Sequence, residues 1–178
     1  PEAMTRIRDR QVKTRHVPRL LRGGRPSVDL LRFARTLEET MVAAAELSGA
    51  DVIIDTSKSP AAALVLHLHT SLNVRVIHLV RDPRASAFSQ SRPKLDPATG
   101  AHMPASGPVP STFNWLNKNW LIDSTVAPRL PTLRIRYEDL VTAPGDVLRQ
   151  ISDHIGQDLP DDLADRPWSP QHTVSGNP

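Results

Sequence analysis

The 178-residue chain contains no cysteine, and only 4% of its residues are aromatic. Without thiols it has no disulfide, no thiolate nucleophile and no cysteine-ligated metal site, and it suits the reducing cytoplasm, where we predict it to be located. Because aromatic rings are so few, the core must be built mainly from aliphatic side chains. Residues 52–54, 63–68 and 74–80 supply them in short runs.

Long apolar runs are missing as well. None reaches the roughly 18 residues that a membrane-spanning helix needs, so the sequence predicts no membrane span. The length suits a single domain over residues 1–178 rather than two. The sequence leaves the oligomeric state open.

Positive charge is concentrated at the amino end of the chain. The net charge is +3, yet residues 1–35 alone hold ten lysines or arginines against three acidic residues. Such a segment is compatible with nucleic acid, anionic lipid or an anionic cosubstrate as its partner. A solvated arginine-rich helix explains it equally well, because no aromatic residue before Phe33 could stack on bases.

Several helices carry clear start and stop signals. Ser27 is placed to cap a helix that ends at Ser48-Gly49, and Asp82 with Pro83 is placed to start another directly after a strand. Helical spacing predicts a further helix over Thr112–Val126 and a last one that ends at Gly156.

Three apolar segments read as strands: Val52–Ile54, Val74–Val80 and Thr132–Arg136. A helix of roughly 15 residues separates the first two, and a strand–helix–strand unit requires a parallel sheet with a right-handed crossover. The predicted fold class is therefore α/β. Residues 92–110 carry five prolines and two glycines, and we predict that they form an active-site lid or a disordered insertion.

Polar residues follow each predicted strand, and ligands of parallel sheets bind at these carboxyl ends. The three segments are Asp55–Lys58, Arg81–Arg84 and Tyr137–Asp139. Guanidinium, ammonium and hydroxyl groups suit a multiply charged anion such as a phosphate ester. The cations and hydroxyls available for this pocket are Lys58, Arg81, Arg84, Ser57, Ser86 and Ser89.

These segments resemble sulfotransferases that use 3′-phosphoadenosine-5′-phosphosulfate (PAPS), in particular the carbohydrate and bacterial members. VIHLVRDPRASAFS is similar to their 3′-phosphate-binding segment, VIIDTSKSP to a strand and turn, and LRIRYEDLVTAPGDVLRQISDHIG to a later strand and helix. The resemblance covers roughly residues 27–178. It implies a three-layer parallel sheet flanked by helices, related to the P-loop NTPases, and sulfuryl transfer from PAPS to a hydroxyl or amine of a small-molecule or glycan acceptor.

The resemblance also implies roles for single residues. Arg81 and Ser89 match the ligands of the nucleotide 3′-phosphate, with Ser86 as the alternative hydroxyl, and Tyr137 matches a position near the adenine. Ser57 joins them as a nucleotide-binding residue.

The turn after the first predicted strand falls where the family has its acceptor-facing catalytic group. Asp55 is the candidate general base, and Lys58 is the candidate for steadying the bridging oxygen. Alternatively, Asp55 caps the turn and Lys58 is a surface cation.

One family element is missing from the sequence, namely the glycine- or serine-rich loop, written around GxxRSGST, that cradles the 5′-phosphosulfate. We therefore expect a truncated domain that by itself transfers sulfate poorly or not at all. A small-molecule or nucleotide kinase remains an alternative, although neither its GxxxxGK[ST] loop nor Mg²⁺ ligands are visible. The other alternative is a nucleic-acid-binding module using the arginine-rich segment; we predict no nucleic-acid partner.

No metal is expected either. His67 and His69 are two residues apart, which directs them to different sides of a helix, and no acidic residue alternates with them or with His78.

Overall fold

A computed structural model gives the structure of the chain and describes residues 6–8, 10, 12–57, 59–92, 94–95, 102–103 and 107–165. The chain divides into two compact units. The first unit comprises Pro1–Val76 and Leu121–Thr132, and the second comprises Ile77–Trp120 and Leu133–Pro178.

The described part of the first unit is mainly helical. A 3₁₀ turn at Thr14–His16 leads into α1 (Val17–Leu21), and α2 (Val28–Ser48) and α3 (Pro60–His69) follow. Their aliphatic faces form one core, as the scarcity of aromatic residues predicts. Its most deeply buried members include Val17, Leu64, Val65 and Val126.

Helix ends in this unit follow the local signals in the sequence. The Ser27 Oγ accepts the Leu30 N–H at 3.1 Å, and α2 ends at Gly49, whose φ of 65° is the left-handed conformation that glycine adopts without strain. Ser59 caps α3 in the same way. The predicted bounds of α2 are confirmed.

The predicted strand at Val52–Ile54 is wrong. These residues form no regular secondary structure, and their side chains are exposed, Ile54 by 82%. A strand is stabilised by a hydrogen-bonded neighbour, and Val52–Ile54 is paired with none of the described strands.

The second unit holds a sheet of β1 (Val76–Val80) and β4 (Thr132–Arg136), the first residue of each strand being counted with the first unit. The strands are parallel, because they are linked at matching ends. The Val76 N–H donates to the Pro131 carbonyl at 2.8 Å, and the Asp82 N–H donates to Glu138 at 3.0 Å. The α/β class is thus confirmed as a two-stranded parallel sheet flanked by helices.

Along the chain, two helices of this unit lie between the two strands and two follow the second strand. They are α4 (Pro83–Ser91), α5 (Pro108–Leu121), α6 (Tyr137–Thr142) and α7 (Pro144–Ile155). Asp82 and Pro83 begin α4 as predicted, and α7 ends at Gly156 with a φ of 71°. A π-helical turn at Ile122–Val126, which is counted with the first unit, follows α5 along the chain, and a 3₁₀ turn at Asp161–Ala164 follows α7.

Between α4 and α5, two short strands form an antiparallel pair, β2 (Lys94–Leu95) with β3 (His102–Met103). About half of the lid predicted over residues 92–110 lies outside the described residues, and α5 begins at Pro108, four residues before the predicted start. Among the helices of the described ranges, none is long and apolar enough to cross a membrane.

Candidate functional site

The carboxyl ends of β1 and β4 bring two of the predicted ligand residues together. Arg81 follows β1 directly and Tyr137 follows β4, so the parallel pairing puts both at one edge of the sheet. The guanidinium carbon of Arg81 lies 4.9 Å from the centre of the Tyr137 ring. At this distance the cation and the ring attract each other by about 0.5–1 kcal/mol at an exposed position.

Trp115 holds the backbone of Arg81. Its indole Nε1–H donates to the Arg81 carbonyl at 2.9 Å, so the residue is held at its main chain by α5 and at its side chain by Tyr137. Nothing in the sequence assigns this role to Trp115. The available signal was its helical spacing with Asn119, which shows only that the two share a face.

Asp82 caps α4 and pairs with Arg84. Its Oδ1 accepts the Arg84 N–H at 2.7 Å, and its two oxygens accept from the Arg84 guanidinium at 3.2 and 2.9 Å. The hydrogen bonds from the Arg84 side chain, and then from its N–H, lower the pKa of Asp82 to about 2. Arg84, which the sequence placed in an anion pocket, therefore has its charge paired with Asp82.

Glu138 links the end of β4 to the end of β1. It accepts the Asp82 N–H at 3.0 Å, and this bond is the main reason why the pKa of Glu138 is lowered. Glu138 consequently fixes the geometry of the turn after β1 rather than offering a free carboxylate.

A cavity of about 560 Å³ opens beside these residues. Ligand pockets for small molecules usually measure about 300–1,000 Å³. Its walls come from the ends of β1 and β4 and from residues of α4, α5, α6 and α7. The lining charged residues are Arg81, Arg134, Arg136, Asp82, Glu138 and Asp139, and the others include Trp115 and Gln150.

The two candidate hydroxyls of α4 share one face of that helix. Ser86 and Ser89 are three positions apart and both are half-buried. The Ser86 N–H donates to the Asp82 carbonyl at 2.9 Å, within the first turn of the helix. Ser89 lies about 9 Å further along the axis than Pro83 at 1.5 Å per residue.

The turn after Val52–Ile54 belongs to the first unit. Asp55 accepts the Ser57 N–H at 2.7 Å on Oδ1 and the Ser57 hydroxyl at 3.1 Å on Oδ2. This arrangement is an Asx-turn, in which the carboxylate stabilises the local backbone. Lys58, the other candidate catalytic residue, lies outside the described residues.

The three histidines that cluster in the sequence have different environments. His67 is exposed, burial lowers the pKa of half-buried His69, and the Nε2 of buried His78 lies 2.9 Å from the Asn119 Oδ1. Within the described residues, no group of three or more histidine, aspartate or glutamate side chains could hold a metal ion.

Comparison with known proteins identifies the family of the chain. No curated protein and no solved structure matches the chain. The family model described as the sulfotransferase family matches residues 2–161, which is far more than half of the sequence. The chain that brings Arg81 and Tyr137 together at the end of a parallel strand pair therefore belongs to the sulfotransferase family.

Proposed function

We propose that this chain binds PAPS and transfers its sulfuryl group to a hydroxyl or amine of an acceptor, with Arg81 as the ligand of the nucleotide 3′-phosphate. The observation that carries the proposal is the contact between Arg81 and Tyr137 at the carboxyl ends of two parallel strands. Membership of the sulfotransferase family supports sulfuryl transfer in general. The nucleotide and the residue roles are our inference from the resemblance of the sequence segments, taken together with the site.

Arg81 is suited to an ester phosphate by its chemistry and its environment. A guanidinium over an aromatic ring keeps its N–H bonds in its own plane, where they can donate side by side to two phosphate oxygens. The bond from Trp115 to the Arg81 carbonyl and the contact with Tyr137 restrict the residue before any ligand arrives. Less side-chain freedom then remains to be lost on binding.

The remaining nucleotide contacts are assigned by resemblance and are compatible with the local structure. Ser89 would donate its hydroxyl to the same 3′-phosphate, with Ser86 one turn earlier as the alternative. Tyr137 would lie against the adenine, since more than a third of it is exposed. Ser57 would contribute a second hydroxyl donor; its hydroxyl donates to the Asp55 Oδ2 at 3.1 Å.

The reaction itself needs alignment and charge stabilisation. The acceptor oxygen or nitrogen attacks the sulfur in line, and its proton passes to a base. The bond from sulfur to the bridging phosphate oxygen breaks, and adenosine 3′,5′-bisphosphate leaves. No electrons are gained or lost overall. We propose Asp55 as the base and Lys58 as the cation that stabilises the charge developing on the bridging oxygen.

Isothermal titration of the chain with adenosine 3′,5′-bisphosphate tests the nucleotide site. Arg81→Ala should weaken binding about 10- to 100-fold, because a hydrogen-bonded charge pair contributes about 1.5–3 kcal/mol. Arg149→Ala is the matched control: this exposed arginine of α7 pairs with Asp146 and does not line the cavity, so binding should be unchanged. Equal affinities for all three proteins, or no binding by any of them, would contradict the proposal.

A further inference from the structure

Helix α5 exposes a continuous apolar and aromatic stripe. Val109, Phe113, Leu116 and Trp120 are spaced by four, three and four positions and so lie on one face of the helix. Their side chains are exposed by between 56% and 78%. These four residues are called the α5 stripe below.

The same helix packs on the sheet through its more polar face. Ser111 is buried, Trp115 donates to the Arg81 carbonyl, and Asn119 lies 2.9 Å from His78 of β1. An ordinary surface helix does the reverse and turns its apolar side inward. An apolar face left outward over three turns indicates an interaction surface.

Charge around the stripe favours a second copy of this chain as its partner. Lys118 is the one charged residue of α5, and at 100° per residue it lies roughly opposite the stripe. The flanking exposed positions are Thr112 and Asn117, which are uncharged. Two copies can therefore meet along the stripe without placing like charges against each other.

We propose that two copies of the chain associate through the α5 stripe with their helices antiparallel. In that direction the smallest residue, Val109, meets the largest, Trp120, and Phe113 meets Leu116, so the helices keep an even separation. A parallel pair would set the two tryptophans against each other and leave a gap between the valines. The opposed helix dipoles also favour the antiparallel arrangement.

The size of the stripe sets the expected strength of the pairing. With aromatic side chains burying about 150–250 Å² each, the four residues supply roughly 500 Å² per copy. The pair then buries about 1,000 Å² in total, the lower limit for a specific interface. The dimer should accordingly form reversibly and depend on protein concentration.

Sedimentation velocity over about 1 µM to 1 mM, which spans weak and moderate affinities, tests the proposal. The unmodified chain should shift from monomer to dimer as concentration rises. Leu116→Glu should lower the association constant by at least about tenfold, because the new carboxylates of two copies come close together at the centre of the contact. Asn114→Glu adds the same charge at an exposed position off the stripe and should leave association unchanged.

Two outcomes overturn the use of this surface. One is that the chain stays monomeric over the whole concentration range. It would also do so if other residues of the same chain covered the stripe. The other is equal weakening by Leu116→Glu and Asn114→Glu. Because both positions are exposed, circular dichroism should show the same fold for both variants.

Disulfide trapping tests the direction of the helices, and the absence of cysteine makes it selective. Val109→Cys and Trp120→Cys proteins, mixed under mild oxidation, should give the mixed disulfide in clear excess over either homodimer, since the two positions face each other only in an antiparallel pair. A disulfide requires Cα atoms within about 7 Å. Homodimers in excess, or no crosslink in the mixture, would refute the antiparallel arrangement.

Discussion

Arg81 and Tyr137 are in contact, the guanidinium carbon lying 4.9 Å from the ring centre, although one residue follows β1 and the other follows β4. The contact depends on the parallel pairing of the two strands, which brings their carboxyl ends to the same edge. The two neighbouring side chains are proposed to contact different parts of one nucleotide: Arg81 the 3′-phosphate and Tyr137 the adenine.

Nucleotides that differ only in the 3′-phosphate separate these two roles. Arg81→Ala should lose affinity for adenosine 3′,5′-bisphosphate but bind adenosine 5′-monophosphate within about twofold of the unmodified chain, since only a phosphate-directed charged hydrogen bond is removed. Tyr137→Ala should weaken both nucleotides by a similar factor. Calorimetric titration of the two ligands against each variant makes the comparison.

The opposite pattern of affinities would assign different nucleotide contacts to Arg81 and Tyr137. If Arg81→Ala weakened both nucleotides equally, its guanidinium would act on the base or on the 5′-phosphate instead. If Tyr137→Ala affected only the bisphosphate, the ring would serve to position Arg81, and its proposed contact with the adenine would be wrong.

Asp82 makes the stability of the fold depend on pH. Its folded-state pKa, about 2, is lower than the ordinary value of 3.8. The folded chain therefore binds fewer protons than the unfolded chain in this range, and acid favours unfolding. The stabilisation is fully present above pH 3.8 and should be lost as the pH falls toward 2.

Thermal unfolding of the chain and of Asp82→Asn between pH 7 and pH 2 measures this effect. Asparagine can still cap α4 but cannot form the ion pair with Arg84, so the variant should have a lower Tm than the unmodified chain at neutral pH. The difference in Tm should vanish near pH 2. A difference that stays constant with pH would contradict the assigned cause.

His78 and Asn119 attach α5 to β1 through a buried contact. The Asn119 amide donates to the Trp115 carbonyl at 2.7 Å, which leaves its Oδ1 to accept from the His78 Nε2 at 2.9 Å. Asn119→Leu removes the oxygen that accepts from the His78 Nε2, and His78 is only 6% exposed. We expect a loss of about 1–3 kcal/mol in the free energy of unfolding.

Urea denaturation gives this value directly. Asn114→Leu, an exposed position of the same helix, is the control and should change stability by less than about 0.5 kcal/mol. Equal stability of Asn119→Leu and the unmodified chain would show that the His78 contact contributes nothing net.

Local signals predicted the helix ends well. The wrong strand prediction at Val52–Ile54 shows the limit of such signals. Ser27 with Gly49 and Asp82 with Pro83 act within one turn of the chain, so their outcome could be predicted from the neighbouring residues alone. Val52–Ile54 has the composition of a strand, but a strand is stabilised by pairing with another segment. The composition of a segment does not show whether another strand pairs with it. In the structure, Val52–Ile54 is exposed and irregular.

The site shows the same division. Arg81 and Tyr137 could be predicted to meet because both follow strands of one parallel sheet. The bond from Trp115 to the Arg81 carbonyl could not, since it depends on how α5 lies across the strand end. Arg84 was predicted to face an anion, and the structure pairs it with the carboxylate of Asp82, two residues away.

Asp55 is the residue for which the structural and the catalytic roles can be separated most sharply. It holds the Ser57 N–H and hydroxyl in an Asx-turn, and asparagine forms such turns as well as aspartate does. Asparagine cannot accept the acceptor's proton. Asp55→Asn should therefore keep the fold and the affinity for adenosine 3′,5′-bisphosphate while lowering kcat for sulfuryl transfer about 10²- to 10⁴-fold.

The measurement follows release of the bisphosphate from PAPS in a form of the protein with measurable turnover, beside a titration of the same samples. Ser57→Ala is the companion variant: it removes one hydroxyl from the turn but no proton acceptor, so it should weaken nucleotide binding more than it lowers kcat. If Asp55→Asn turned over at the rate of the unmodified protein, the carboxylate would serve the turn alone, and the base would have to be another residue.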